Sequence, residues 1–262
     1  MPASTRIALF LCDTPIPTVR ATDGDYTDIF NALLRSSLPS NSVTEFSLEP
    51  YDVREKMEYP DSIDDYRAII LTGSAASAYE NLDWINKLID YVAKVAKEKP
   101  YIKLIGICFG HQIIARAMGK ECVPNDGKWE VGVTEVTLTD IGKQLFGAPT
   151  INIQQMHRDH VPEVPDSCHL LGSTAIAGNQ GIVEFHPGTD PSKASPKDVH
   201  VLTLQGHPEF TRRISEAIVE ARSSTGVLSK DVVGDFNRRI EWRNDGPGVI
   251  GKVIWNVIGV DS

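Results

Sequence analysis

Long apolar runs are missing from this sequence. No stretch approaches the ~20 apolar residues that a bilayer-spanning helix needs, so no membrane partner is expected. The apolar run Ile7–Cys12 is too short for a secretory signal and leads straight into Asp13. A cytoplasmic protein is the expectation. Cysteine is scarce: Cys12, Cys108, Cys122 and Cys168 are the four, with irregular spacing and no C-x-x-C pair. That usage points to reduced thiols in a reducing compartment rather than to a disulfide framework. A basic excess is also missing, since 26 Lys and Arg against 35 Asp and Glu leave a net charge of −9. Such a surface repels phosphate backbones and anionic lipid, which argues against nucleic acid as a partner. The sequence has no internal repeat, no low-complexity tract and no interdomain linker.

What is there is an ordinary globular mixture, with 41% apolar and 23% charged residues over 262 positions. One domain spanning 1–262 is expected, with 223–262 as a C-terminal helical extension. Short apolar strands alternate with amphipathic helices. Strands are expected at Ile7–Leu11, Thr44–Leu48, Tyr66–Leu71 and Lys103–Ile107. Between them the apolar spacing predicts helices over Asp25–Arg35, Leu82–Ala96 and Phe109–Met118. This rhythm argues for an α/β fold with a parallel sheet covered by helices on both faces. The middle changes character: Glu130–Thr139, Thr150–Gln154, Leu170–Ala177 and Ile182–Phe185 read as strands of a small β-rich insert. His200–Gln205 returns as a buried strand, and helices over Arg212–Arg222, Lys230–Arg243 and Val249–Val257 close the chain.

The strongest local signal is Gly106-Ile107-Cys108-Phe109-Gly110-His111-Gln112, placed between a buried strand and a helix. A nucleophile there turns sharply, and glycines two residues either side let neighbouring chains approach without Cβ clashes, the logic of a nucleophile elbow. Its side chain is expected to stand exposed above the sheet edge. The helix N-terminus favours a thiolate, and the Phe109 N–H can point at a developing oxyanion. The bland alternative is a buried structural cysteine. The second signal is Gln205-Gly206-His207-Pro208-Glu209, directly after a buried strand. Residues i and i+2 of an extended chain share a side, so His207 and Glu209 can face one site, the histidine moving protons and the glutamate orienting it. Both are expected to lie partly solvated at the sheet's rim. A third, weaker signal is Leu71-Thr72-Gly73-Ser74, where Gly73 at a strand end can aim a second N–H into the same crevice.

Together these pieces resemble the class I (triad) glutamine amidotransferase family. The resemblance runs from about Ile7 to Arg222, and Met156-His157-Arg158-Asp159-His160-Val161 is similar to a stretch of the GMP synthase glutaminase domain. It implies a three-layer α/β/α, flavodoxin-like fold with a mostly parallel central sheet. It further implies Cys108 as nucleophile, His207 as base, Glu209 as its partner, and Gly73 and Phe109 as oxyanion donors. Gln112, His157 and Asp159 would hold the amino-acid end of the substrate. A closer similarity is to the stand-alone branch that includes plant γ-glutamyl peptidases, on the forms Gly-Ile-Cys-Phe-Gly-His-Gln, Gln-Gly-His-Pro-Glu-Phe and Trp129-Glu130-Val131-Gly132-Val133. Trp129 and Glu130 would then border the pocket.

The sequence contains no G-x-x-x-x-G-K-[ST] phosphate loop, and the forty residues after Arg222 are expected to be too few for a synthetase domain. The first expectation is therefore a cysteine hydrolase of a γ-glutamyl amide, with a small-molecule substrate and neither cofactor nor metal. The second is a glutaminase subunit that passes ammonia to a separate synthetase chain, docked through Arg238, Arg239 and Arg243. From another class come a catalytically silent binding protein and a zinc protein using Cys108, His111, His157 and His160.

Overall fold

The computed structural model describes residues 5–39 and 44–260. In chain order the strands are β1 (Thr5–Leu11), β2 (Phe46–Asp52), β3 (Ala68–Leu71), β4 (Lys103–Ile107), β5 (Val123–Pro124) and β6 (Glu130–Leu138). They continue with β7 (Thr150–His157), β8 (Asp159–His160), β9 (His169–Leu170), β10 (Gly172–Ser173), β11 (Ile182–Phe185) and β12 (Val199–Leu204). The helices are α1 (Pro17–Asp23), α2 (Tyr26–Ser37), α3 (Asp83–Glu98), α4 (Phe109–Ala117), α5 (Asp140–Phe146), α6 (Arg212–Ser224), α7 (Lys230–Arg239) and α8 (Gly251–Ile258).

Seven strands form the main sheet in the order β2-β1-β3-β4-β12-β11-β9. The first five run parallel, and β11 and β9 are antiparallel additions at one edge. Alternation along each strand sorts side chains to two apolar layers. Ile7 and Leu9 of β1 face one layer with Leu34 of α2 and Trp255 of α8, whereas Ala8 and Phe10 face the other with Leu88 of α3 and Ile113 of α4. This is the three-layer α/β/α architecture, with a mostly parallel sheet. The β-rich insert is a second sheet, β10-β6-β7, with the small pair β5-β8 beside it.

Local chemistry explains the helix starts. Asp25 caps α2, accepting from the Thr27 N–H, while Asp28 accepts in return from the Asp25 N–H. The expected strand over Leu170–Ala177 is not continuous. It breaks at Leu171 into β9, which pairs with β11 of the main sheet, and β10, which pairs with β6 of the insert. Two short helices, α1 and α5, were not foreseen. Pro17 starts the first, where a missing N–H costs nothing, and Thr139 caps the second.

The chain after Arg222 joins the core. Trp255 of α8 is fully buried, its ring edge against Phe46 at 5.0 Å, and its Nε1 donates to the Leu34 carbonyl at 2.8 Å. Removing that ring leaves a large void and an unpaired carbonyl. Trp255→Ala should lower unfolding free energy by about 3–5 kcal/mol, read from urea melts. A loss under about 1 kcal/mol would mean that α8 is not part of the cooperative core.

Candidate active site

Parallel strands deliver the site. The neighbouring strands β3, β4 and β12 end side by side, and the chain leaving each of them carries one candidate group: Gly73, Cys108 and His207. Cys108 turns between β4 and α4 with φ +52° and ψ −102°, a left-handed backbone that a non-glycine residue rarely adopts. Its N–H donates to the Leu204 carbonyl at 2.8 Å. The flanking glycines are sterically required: a Cβ on Gly106 would lie 2.6 Å from the Gly110 carbonyl, and one on Gly110 would lie 2.5 Å from the Leu71 carbonyl oxygen. Gly73 is just as constrained, since a Cβ there would meet His207 Cε1 at 2.8 Å. Among the described residues the N–H groups of Gly73 and Phe109 donate to no acceptor outside their own helix or strand.

His207 and Cys108 converge beside Gly73: a Cβ there would lie 2.8 Å from His207 Cε1 and 3.7 Å from Cys108 Cβ. The His207 ring stacks on Phe210 at 4.0 Å, and its Nδ1 lies 2.8 Å from Glu209 Oε1. A carboxylate can only accept, so Nδ1 carries a proton and Nε2 is left for the sulfur side. Burial pushes His207 toward the neutral form, but the Cys108 sulfur and the Glu209 carboxylate outweigh it and raise its pKa to about 10. The expectation of a partly solvated rim is corrected here. His207 and Glu209 are each 4% exposed and Cys108 is 5% exposed, with Phe210 stacked on the His207 ring. Cys108 therefore faces an enclosed cleft rather than open solvent.

That cleft gathers Gln112, His157 and Asp159 around Cys108, with Ser77, Trp129, Arg158 and Arg222. Their contacts differ. Gln112 Nε2 donates to the Asp159 carbonyl at 3.2 Å and to Gln205 Oε1 at 3.1 Å. His157 is held on both sides, Nε2 against Glu130 at 2.9 Å and Nδ1 against the Asp159 carbonyl at 3.0 Å. Glu130 lies behind His157. Burial raises its pKa, but His157, Thr174 and Gln180 outweigh burial and leave it below the ordinary carboxylate value. Asp159 Oδ2 accepts from Ser77 Oγ at 2.6 Å, while its Oδ1 is buried with no partner among the described residues. Trp129 borders the cleft between two guanidinium groups, Arg222 at 5.4 Å and Arg158 at 5.7 Å.

Two participants escaped the sequence reading. Gln205 is fully buried, and its Nε2 approaches Cys108 Sγ at 3.6 Å. Its place two residues before His207 was the available signal. Arg222 offered none, because its side chain reaches the cleft from the last turns of α6. The zinc arrangement is not assembled. His111 Nδ1 lies 2.7 Å from Thr203 Oγ1, and among the described residues no three His, Cys, Asp or Glu side chains are grouped to hold a metal. Arg238, Arg239 and Arg243 are engaged within the chain, by Asp235, by the Val131 carbonyl and by Asp245. No helix among the described residues is long and apolar enough to cross a membrane.

A cysteine on a strand–helix elbow, with a histidine–carboxylate pair after the adjacent strand, has the arrangement that triad-type acyl transfer needs. Residues 25–222 match the family model for class-I glutamine amidotransferases, and the chain belongs to that family. A glutamine amidotransferase-like protein of Schizosaccharomyces pombe is 38% identical over 243 residues, covering 90% of this chain and 91% of its own. Gamma-glutamyl peptidase 3 of Arabidopsis thaliana is 29% identical over 228 residues, covering 82% of this chain and 81% of its own. The crystal structure of a glutamine amidotransferase from Thermotoga maritima superposes with a TM-score of 0.69 at 15% identity, over 98% of this chain and 99% of that one. It shares the fold.

The four thiols differ sharply. Burial pushes Cys12 and Cys168 each up to about 12, and Cys122 higher still. Cys108 alone adjoins a histidine held protonated. Limited iodoacetamide treatment at neutral pH should therefore label Cys108 first, as read by peptide mapping. First labelling at any of the other three would remove the basis for a reactive elbow.

Proposed function

We propose that the protein hydrolyses a γ-glutamyl amide bond, in glutamine or a γ-glutamyl peptide, through a thioester on Cys108. The observation that supports this most is the Cys108–His207–Glu209 arrangement, with His207 protonated between a sulfur and a carboxylate. In this reading the Cys108 thiolate attacks the γ-carbonyl carbon. The N–H groups of Gly73 and Phe109 take the developing oxyanion. The C–N bond breaks as His207 Nε2 gives its proton to the leaving nitrogen. Water, deprotonated by the same nitrogen, then attacks the thioester, releasing glutamate and restoring the thiolate–imidazolium pair.

The free carboxylate oxygen of Asp159 suits the substrate's α-ammonium, and Arg158 suits its α-carboxylate. Gln112 contributes the amide oxygen that its internal bonds leave over, and His157 fixes the backbone on which Arg158 and Asp159 sit. The free thiols suit a reducing compartment such as the cytoplasm.

Pure protein should release glutamate from a γ-glutamyl compound in EDTA, with no nucleotide and no second polypeptide. Cys108→Ala should lose several orders of magnitude in kcat, about 10⁴-fold or more, because the covalent route disappears. Activity that appears only when another chain is added would replace this reading with that of a glutaminase subunit serving a synthetase.

Glu209→Gln should separate two roles. It removes one of the charges that raise His207, so the histidine loses its proton at lower pH. Stability drawn from protonated His207 is complete below its unfolded pKa and fades as pH rises through about 10. In the variant both that fading and the alkaline fall of kcat/KM should start closer to neutrality. A pH–rate profile superimposable on wild type would sink the pairing argument. Glu209→Ala leaves the His207 Nδ1–H buried and unpaired, which should cost about 1–3 kcal/mol of stability by thermal melt, while His207→Ala should cost more activity.

A further inference from the structure

Two cavities lie side by side beyond the strand ends and share part of their lining. Cys108 lines the polar lobe already described. His207 lines a second lobe, a cavity of about 70 Å³. Ser74, Ala75, Met156 and Arg222 border both. An acyl group carried on Cys108 therefore occupies one lobe, and a nitrogen protonated by His207 departs into the other. Ammonia needs no room there, but this lobe is built. Ile16, Val19 of α1, Ile29 of α2, Phe210, and Ile214 and Ile218 of α6 wall it with hydrocarbon.

Two charges stand in the second lobe, and only one is satisfied. Asp13 accepts from the Ala75 N–H at 2.6 Å and from Ser74 Oγ at 3.2 Å, and it is paired with Arg54. Arg222 is half-buried, and among the described residues its guanidinium makes no ion pair and no hydrogen bond; Trp129 stacks beneath it. A partly buried guanidinium with neither ion pair nor hydrogen bond among the described residues, beside an apolar wall, is a place for a carboxylate attached to a hydrocarbon group.

We infer that this second lobe is a leaving-group subsite for an apolar α-amino acid, its side chain against α1 and α6 and its free carboxylate on Arg222. The favoured substrate class is then a γ-glutamyl derivative of a large apolar amino acid, not glutamine. The inference rests on the hydrolase reading above and adds no step to it: the same C–N bond breaks, and the amino acid leaves as its neutral amine with the proton from His207.

Three substrates separate the terms: γ-glutamylphenylalanine, γ-glutamylphenethylamine, which keeps the ring and lacks the carboxylate, and glutamine. In wild type, kcat/KM should fall in that order, by roughly 10-fold or more at each step. Arg222→Met should bring the first down to the second, cutting γ-glutamylphenylalanine about 10-fold more than it cuts glutamine, with Arg222→Lys restoring part of the difference. Ile16→Glu, at a half-exposed wall position, should lower both aromatic substrates and spare glutamine, with thermal melts confirming that each variant is folded. Equal kcat/KM for glutamine and γ-glutamylphenylalanine overturns the subsite while leaving the hydrolase reading in place. A loss on glutamine as large as on the other two in Arg222→Met also overturns it, because Arg222 would then be holding the glutamyl half. If wild type releases glutamate from none of the three, the hydrolase reading fails and takes the subsite with it.

Discussion

Everything at the candidate site depends on one residue's backbone. Cys108 holds a left-handed conformation that costs about 1–3 kcal/mol in a non-glycine residue, and the surrounding fold must hold it there. Three contacts do so. The Cys108 N–H reaches across to the last residue of β12, Gly106 closes on the first turn of α4, and Gly110 lets that turn settle on the Leu71 carbonyl of β3. Cys108 is thus tied to both neighbouring strands, one leading to Gly73 and the other to His207. A shift of any of the three would separate the groups, so the elbow and the placement of Gly73 and His207 are a single constraint.

Burial sets the second condition. A histidine and a glutamate that are both almost fully enclosed, beside a sulfur, form a site in which every charge must be answered locally. Glu209 answers His207 on one side and the sulfur does so on the other. Gln205 approaches the sulfur from beneath, and its amide oxygen receives Gln112, whose second N–H bond ends on the backbone of Asp159. A buried chain of amides therefore links the nucleophile to the wall of the polar lobe. The Glu130–His157 pair stiffens the other end of that wall. The polar network positions groups, and the hydrocarbon of α6 and Phe210 excludes water from them.

What could be read in the sequence was what short stretches decide by themselves. Gly106–Gln112 needs its two glycines wherever it occurs; His207 and Glu209 do meet, but across a turn at Pro208–Glu209 that returns the Phe210 N–H to the His207 carbonyl at 3.3 Å, not along the extended path that the spacing implied. The parallel sheet followed from buried strands separated by helices of clear period. Other features depended on distant partners. Leu170–Ala177 alternates like one strand, yet its two halves serve different sheets, which no local pattern reveals. The rim looked solvated because Phe210 could not be seen stacking on the His207 ring. The seven-residue helices α1 and α5 are too short for a periodic signal. Arg222 sits on a helix whose other exposed positions are solvated, and only the distant Trp129 shows which way it points.

The distribution of charge joins these levels. The chain as a whole carries −9, a field that repels anionic substrates at long range. Within the cleft two guanidinium groups stand beside Asp159, whose Oδ1 has no partner among the described residues. Arg158 and Arg222 flank one indole, and the nearby acids Asp13, Glu130 and Glu209 are already committed to Arg54, His157 and His207. Stacking on Trp129 restricts both guanidinium groups before any ligand arrives, which lowers the ordering cost of binding. An acidic surface around a small, preorganised cationic mouth favours ligands whose carboxylates are spaced to meet both arginines at once. A γ-glutamyl amino acid has one carboxylate on each side of its scissile bond, whereas glutamine has only one. In the proposed reading, the same electrostatic frame that admits the glutamyl head discriminates by what the other side of the amide carries.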